Sequence, residues 1–313
     1  GAPVPPTPGL AEAAPWSNRE ITTAKAVPGR LLVLGGGVVG VEMARAWASL
    51  GSSVAIVEAL PRLISREEPF ASEEVADSLR ARGVDVRVGA KASGASRGEH
   101  KVRLEREDGT TREGDELLVA IGRRPHTGDL GAESVGLAPG KIVEVDDRMR
   151  AGGHDWLYAI GDVNGRALLT HAGKYQARVA AENIAGREAR ATADGPATPR
   201  VIFTDPQVAA VGHTLQSARD DGLDARAVDV SSSGTAGASF YGRDAPGTAR
   251  LVIDSERNVV AGATFTGPDV AEWLQAASIA VVAEVPLERL REAIPAFPTR
   301  SEIWLNLLDA ALD

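Results

Sequence analysis

The stretch Arg30-Leu31-Leu32-Val33-Leu34-Gly35-Gly36-Gly37-Val38-Val39-Gly40-Val41-Glu42 decides how this chain folds. Residues 30–34 are an apolar run closed by glycines, the pattern of a strand buried on both faces of a parallel sheet. Residues 38–50 then take helical periodicity and stop at Gly51, the expected punctuation of a helix C-terminus. Residues 53–58 are a second apolar run, so strand, glycine-rich turn, helix and strand follow one another as a βαβ unit. A G-x-G-x-x-G at that place has a mechanism. Gly35 permits the tight turn, Gly37 lets the backbone approach a pyrophosphate, and Gly40 lets helix and strand pack closely. Gly36, Val38 and Val39 fill the turn where the positive end of the helix favours an anion.

Glu58 strengthens the dinucleotide reading. It ends the second strand, near the spacing of about 20 residues at which an acid accepts hydrogen bonds from an adenosine ribose. A carboxylate there repels a 2'-phosphate, and Ala59 and Leu60 follow it rather than basic residues, so NAD(H) is expected over NADP(H). Arg62 is the one nearby cation that argues the other way. Glu42 falls in the expected first helical turn, where it either serves the ligand or is simply stabilised by the helix dipole.

Further units surround this one. The pattern predicts a helix over 72–82, a strand over 84–88, a hairpin within 101–116 turning at Asp108-Gly109, and a buried strand over 117–122. It also predicts a strand over 156–161 and a helix over 170–184 ended by Gly186. The small, polar, proline-containing stretch 189–199 marks a domain boundary. Beyond it, 201–203, 208–211, 225–230, 249–253 and 259–266 read as strands of a mostly antiparallel sheet, followed by helices over 269–282, 287–293 and 301–312. Residues 1–28 are rich in proline and alanine and read as a linker entering a domain, with a short helix able to start in Trp16-Ser17-Asn18-Arg19-Glu20.

Composition narrows the function. A chain of 313 residues suits two or three domains. A net charge of -9 without a basic cluster excludes a nucleic-acid partner, because phosphates demand a Lys/Arg footprint. There is no cysteine, so neither a disulfide nor a thiolate metal site exists within these residues. The 5 histidines are scattered and none forms a metal-ligand pair at helical spacing, so no metal is expected. No apolar run reaches bilayer length and no signal-like start is present, so a cytoplasmic protein without a membrane span is expected.

Four motifs in order make a family resemblance specific: Gly35 to Glu42, Ala120-Ile121-Gly122-Arg123-Arg124-Pro125, Tyr158-Ala159-Ile160-Gly161-Asp162, and Phe203-Thr204-Asp205-Pro206. Together they resemble the pyridine nucleotide-disulfide oxidoreductases, the flavoproteins that include dihydrolipoamide dehydrogenase, glutathione reductase and mercuric reductase. Gly1-Ala2-Pro3 and residues 6–10 resemble the linker leaving that family's flavin domain. The resemblance implies an α/β fold: a linker over 1–29, a Rossmann-like NAD(P)-binding domain over 30–147, the C-terminal part of an FAD-binding domain over 148–197, and an α+β dimerisation domain over 198–313. It implies that Gly122 lines the nicotinamide site, that Gly161 and Asp162 face FAD, and that Thr170, His171 and Ala172 lie near the isoalloxazine. Asp162 has its own rationale, since a carboxylate at a strand's carboxyl end can accept hydrogen bonds from ribitol hydroxyls.

Three departures follow. The family opens with another βαβ unit carrying a glycine motif for FAD and usually a redox-active cysteine pair; none precedes Gly1, so a missing FAD-binding segment, trimmed, lost or supplied by another polypeptide, is expected. The family's threonine before Gly-Asp is replaced by Arg148-Met149-Arg150-Ala151-Gly152-Gly153. Near the carboxyl end, Phe297 stands where the family places a proton-moving histidine, with Glu302 in the place of its partner acid. A phenyl ring moves no proton, and such acid-base catalysis is worth on the order of 10²- to 10⁴-fold. Glu302 is then read as the far half of a T-x-x-E capping box with Thr299. The expectation is an FAD-dependent NAD(P)H oxidoreductase, homodimeric, passing electrons to a small-molecule acceptor such as a quinone. The alternatives are a dihydrolipoamide dehydrogenase-type disulfide oxidoreductase and a non-catalytic NAD-binding, dimerising fragment.

Overall fold

The computed structural model describes residues 5–242 and 247–313, so the Gly1-Ala2-Pro3 segment of the expected linker lies outside the described residues. The elements run α1 (Asn18–Thr23), β1 (Arg30–Leu34), α2 (Val38–Ser49), β2 (Ser53–Val57), α3 (Pro69–Ala81), β3 (Asp85–Arg87), β4 (Ala92–Arg97), β5 (Val102–Arg106), β6 (Thr111–Gly114), β7 (Glu116–Val119) and α4 (Thr170–Ile184). After them come β8 (Arg200–Ile202), β9 (Gln207–Gly212), α5 (Leu215–Asp220), β10 (Ala225–Ser231), β11 (Thr248–Asp254), β12 (Val259–Gly267), α6 (Leu274–Val282), α7 (Leu287–Arg291) and α8 (Ile303–Leu312).

The first unit is a parallel sheet ordered β3-β2-β1-β7. Because successive side chains of β1 point to opposite faces, Leu31 and Val33 enter one core with α2 and α3, while Leu32 and Leu34 enter another. That second core lies under the antiparallel β4-β5-β6 sheet, whose Val102 and Leu104 cover it. Leu31, Leu32 and Val33 are fully buried, each contributing about 1.5–3 kcal/mol of apolar burial, so a charge at any of the three would break the unit. Residues ahead of β1 join these cores. Leu10 and Ala13 are buried beneath the meander, and Trp16 bridges in parallel to Leu118 at the sheet's edge.

The C-terminal unit is a sheet ordered β10-β11-β12-β9-β8 in which every pairing is antiparallel. Helices α6 and α8 pack on it through Leu274, Ala277, Ile303, Leu307 and Leu308. The loop entering helix α3 docks on this unit through charges: Glu68 pairs with Arg250 at 2.8 Å and Glu67 with Arg200 at 2.8 Å. Thr248 donates its hydroxyl to Glu74 at 2.7 Å.

Five expectations need correction. Residues 156–161 are not a strand: the run is extended, but among the described residues only the Arg150–Tyr158 bridge pairs with it, and a strand needs a ladder. The strand expected over 117–122 ends at Val119, because Gly122 turns away with φ +136°. The helices expected over 269–282 and 301–312 each begin as a 3-10 turn, Val270–Trp273 and Arg300–Glu302. Glu42 is the fifth residue of α2, beyond the first turn, so the dipole account of it fails. Strand β4 and helix α5 had no sequence signal strong enough to be expected, since ASGASR and LQSARD are both mostly polar.

Candidate functional site

The glycine turn is shaped by what surrounds each glycine. Gly35 takes φ +111° and packs so closely on the Ala120 carbonyl that a Cβ would stand 2.5 Å from its oxygen. A Cβ on Gly40 would collide with the Gly35 carbonyl, which is the close helix-strand approach that its place in the motif demands. Gly37 caps α2 without any side chain on its cap, and nothing stands within 4 Å of where its Cβ would be. The first amides of α2 therefore open onto free space on the side where Val38 is exposed. Val39, half-buried, packs behind it.

Glu58 faces this turn. Its carboxylate accepts the Gly36 amide at 2.5 Å and the Leu60 amide at 2.7 Å, so each oxygen has one fixed donor. A carboxylate oxygen accepts more than one hydrogen bond, and both remain available to hydroxyls. A Cβ on Gly36 would meet Leu63 and stand 3.1 Å from the Glu58 Cβ. Glu42 lies deeper along α2 and accepts the Phe203 amide at 2.8 Å. Burial pushes its carboxyl above the usual range, against the lowering effect of that hydrogen bond.

A second cluster gathers the residues expected on the flavin side. Gly161, at φ +74°, opens the 3-10 turn Gly161–Asn164 rather than ending a strand. Asp162, half-exposed, is paired with Arg123 at 2.6 Å, which ties the Gly122 segment to this turn. Helix α4 begins at Thr170 with Leu169 as its N-cap, a residue with no side-chain acceptor, so the amides of the first turn, including Thr170, His171 and Ala172, carry no side-chain cap. Gly173 allows that turn to approach, since a Cβ there would stand 3.3 Å from the Gly161 Cα. His171 itself faces the other way, its Nε2 2.7 Å from the Pro199 carbonyl.

Beneath the Gly161 turn runs a buried polar network that sequence reasoning missed. The Gln176 carbonyl accepts the Gly161 amide at 2.7 Å and the Asn164 amide group at 2.9 Å. The Gln176 amide in turn donates to Asp194 at 2.9 Å, and Arg166 closes the chain on Asp194 at 2.8 Å. Gln176, Asp194 and Asn164 are all buried. The only available signal was polar residues on the apolar face of the helix expected over 170–184.

Phe297 and Glu302 form a third place. Phe297 is 77% exposed. Glu302 accepts the Thr299 amide at 3.1 Å in a capping box ahead of α8, while the Thr299 hydroxyl donates to the Ala296 carbonyl at 2.6 Å.

A βαβ unit with a glycine turn and a facing acid defines a dinucleotide-binding class of protein, here joined to a separate antiparallel unit. The family model for pyridine nucleotide-disulphide oxidoreductase matches residues 1–183, and that for the dimerisation domain of the same family matches residues 198–307. The chain belongs to the pyridine nucleotide-disulphide oxidoreductase family. It is 33% identical over 307 residues to the dihydrolipoyl dehydrogenase of Geobacillus stearothermophilus, covering 95% of this chain and 64% of that one. The dihydrolipoyl dehydrogenase of Haloferax volcanii is 32% identical, with 95% and 63% covered. Among solved structures, the Cu(II) complex of the HOCl-induced flavoprotein disulfide reductase RclA from Escherichia coli superposes with a TM-score of 0.88 at 29% identity, covering 98% of this chain and 70% of that one. The chain thus spans less than two thirds of the length of these curated relatives.

Proposed function

We propose that this chain serves an FAD-dependent oxidoreductase that takes electrons from NADH and delivers them to a non-disulfide acceptor such as a quinone. The diphosphate of the dinucleotide lies on the amides that open at Gly37, Val38 and Val39, where the helix end favours an anion. Glu58 receives the adenosine ribose hydroxyls and disfavours a 2'-phosphate. Gly122 and Glu42 lie on the route toward the nicotinamide end. The second cluster suits a flavin: Asp162 presents a half-exposed carboxylate to ribitol hydroxyls, and the uncapped first turn of α4 presents amide donors to a ring carbonyl. Arg123 orients the Asp162 carboxylate through a 2.6 Å pair, and the Gln176 network fixes the turn that carries it. A bound flavin supplies the hydride-accepting and electron-passing chemistry; the chain's residues place the two cofactors and keep water from the path.

The observation that carries the choice of acceptor is Phe297, an exposed phenyl ring where the family resemblance expects a proton-moving histidine, with Glu302 engaged in the helix cap. A flat apolar wall suits an aromatic acceptor and offers no general acid or base to a thiol. Phe297 acts on the partner subunit's flavin, so the proposal includes a homodimer built on the C-terminal unit. Steady-state oxidation of NADH by the flavin-loaded protein tests this, with a benzoquinone and lipoamide as competing acceptors. Quinone turnover at least about 10²-fold above lipoamide turnover is expected. Equal or faster reduction of lipoamide would restore the dihydrolipoyl dehydrogenase activity that the relatives' names carry.

A further inference from the structure

We infer that Arg62 is a positioning residue that sets dinucleotide specificity by bracing the loop of residues 59–68 against the glycine turn, and that it is not a ligand for a 2'-phosphate. The inference rests on the NADH reading of the Glu58 site. By sequence, a basic residue four positions after the ribose acid could pair with a phosphate; the geometry assigns it elsewhere. One terminal nitrogen of Arg62 donates to the Glu67 carbonyl at 2.7 Å and to the Ser72 hydroxyl at 2.7 Å, and the other donates to the Ser65 carbonyl at 2.6 Å. A planar guanidinium meeting three acceptors through two terminal nitrogens is held more rigidly than an ammonium would be.

What the brace holds is a conformation that the backbone does not favour. Ile64 lies at φ +39°, a region that a β-branched residue avoids and that persists only when the surroundings impose it. Around it, the Ile64 amide donates to the Gly36 carbonyl at 2.8 Å, and the Glu67 amide donates to the Ile64 carbonyl at 2.9 Å. Leu63 and Ile64 are both buried, and Leu63 lies directly over Gly36. The same loop supplies the Leu60 amide that holds one oxygen of Glu58, while Gly36 supplies the donor to the other. Arg62 thus braces the loop that carries the Leu60 amide and that meets the glycine turn through the Ile64–Gly36 bond, so it acts on the ribose acid through its two donors.

Dissociation constants for NADH and for NADPH, measured by fluorescence titration of the purified protein, test this together with the melting temperature. Against the wild type, Arg62→Met is expected to raise the NADH constant about 10-fold while leaving NADPH binding as weak or improving it, so that discrimination narrows. Arg62→Lys should behave like Arg62→Met, because one ammonium cannot span the three acceptors. Ser72→Ala removes a single acceptor in a helix and is expected to weaken NADH a few-fold with an intact fold, which keeps the test decisive if Arg62→Met does not fold. Selective weakening of NADPH by Arg62→Met would make Arg62 a phosphate ligand and overturn the inference. A lowered melting temperature with unchanged constants for all three variants would reduce it to a structural brace and overturn it equally. A wild-type protein that binds neither dinucleotide would overturn the NADH reading itself, and this inference with it.

Discussion

Single side chains divide the site into parts that meet ligand and parts that hold those parts in place. Glu58 belongs to the first group, and replacing it with Ala removes the acceptor for the ribose hydroxyls and the electrostatic barrier to a 2'-phosphate. The expected outcome is an NADH dissociation constant raised about 10- to 100-fold with NADPH less affected, read by fluorescence titration. Glu42 is a half-buried acid whose carboxyl is pushed above the ordinary value by desolvation, so the folded state takes up its proton before the unfolded state does. Its charged form is therefore a cost that grows as pH rises from the unfolded value through the folded one. Glu42→Gln keeps an acceptor for the Phe203 amide, so it should match or exceed the wild-type melting temperature at pH 7 and lose that advantage in acid. A variant less stable at pH 7 would show that the charge is a net benefit. The residues of the glycine turn were legible because their backbone roles follow from spacing. The contact between Glu42 and Phe203 was not legible because Phe203 lies in another unit 161 positions away, beyond any local pattern.

At the level of elements, β1, α2 and β2 were readable because a buried parallel strand and an amphipathic helix leave unmistakable periodicities. The run 156–161 has the same apolar character, yet periodicity reports burial and not the neighbour that a strand needs. Gly40→Ala tests the strand-helix approach: the added methyl has no room against the Gly35 carbonyl, so α2 must shift away from β1. Loss of about 1–3 kcal/mol, with weakened NADH binding, is expected from denaturant unfolding. The docking of α3 is a matter of buried charge. Removing the carboxylate with Glu68→Ala takes one of the two carboxylates that Arg250 meets, leaving it paired with Asp229 at 2.6 Å, and deprives the Leu215 amide of the acceptor it has at 2.7 Å. A cost of about 1–3 kcal/mol is expected, and pairing it with Arg250→Met should cost less than the sum of the two single changes. Additive losses would mean that the pair is not coupled. Nothing in a sequence pairs positions 182 apart, which is why this clamp could not be foreseen.

Over the whole molecule, Ile202 and Val208 of the C-terminal unit are buried in the core of the first unit, and the C-terminal unit presents large apolar side chains to solvent. Ile294 is 92% exposed, and Ile279 and Val282 are also exposed. Such surface is the mark of an interface, in keeping with the dimerisation-domain match over residues 198–307. Light scattering at micromolar concentration should give a dimer for the wild type and a monomer for Ile294→Asp with Phe297→Asp; a wild-type monomer would remove the shared site. No helix among the described residues is long and apolar enough to cross a membrane. The order of motifs made the family legible across nearly the full chain, whereas the Gln176 network and the Arg62 brace depend on contacts that only the folded chain brings together. A crystal structure of the protein soaked with NADH tests most directly where the dinucleotide binds. Density for the diphosphate at the Gly37 amides, with ribose hydroxyls on the Glu58 carboxylate, is the predicted result; ordered NADH bound at any other place would contradict it.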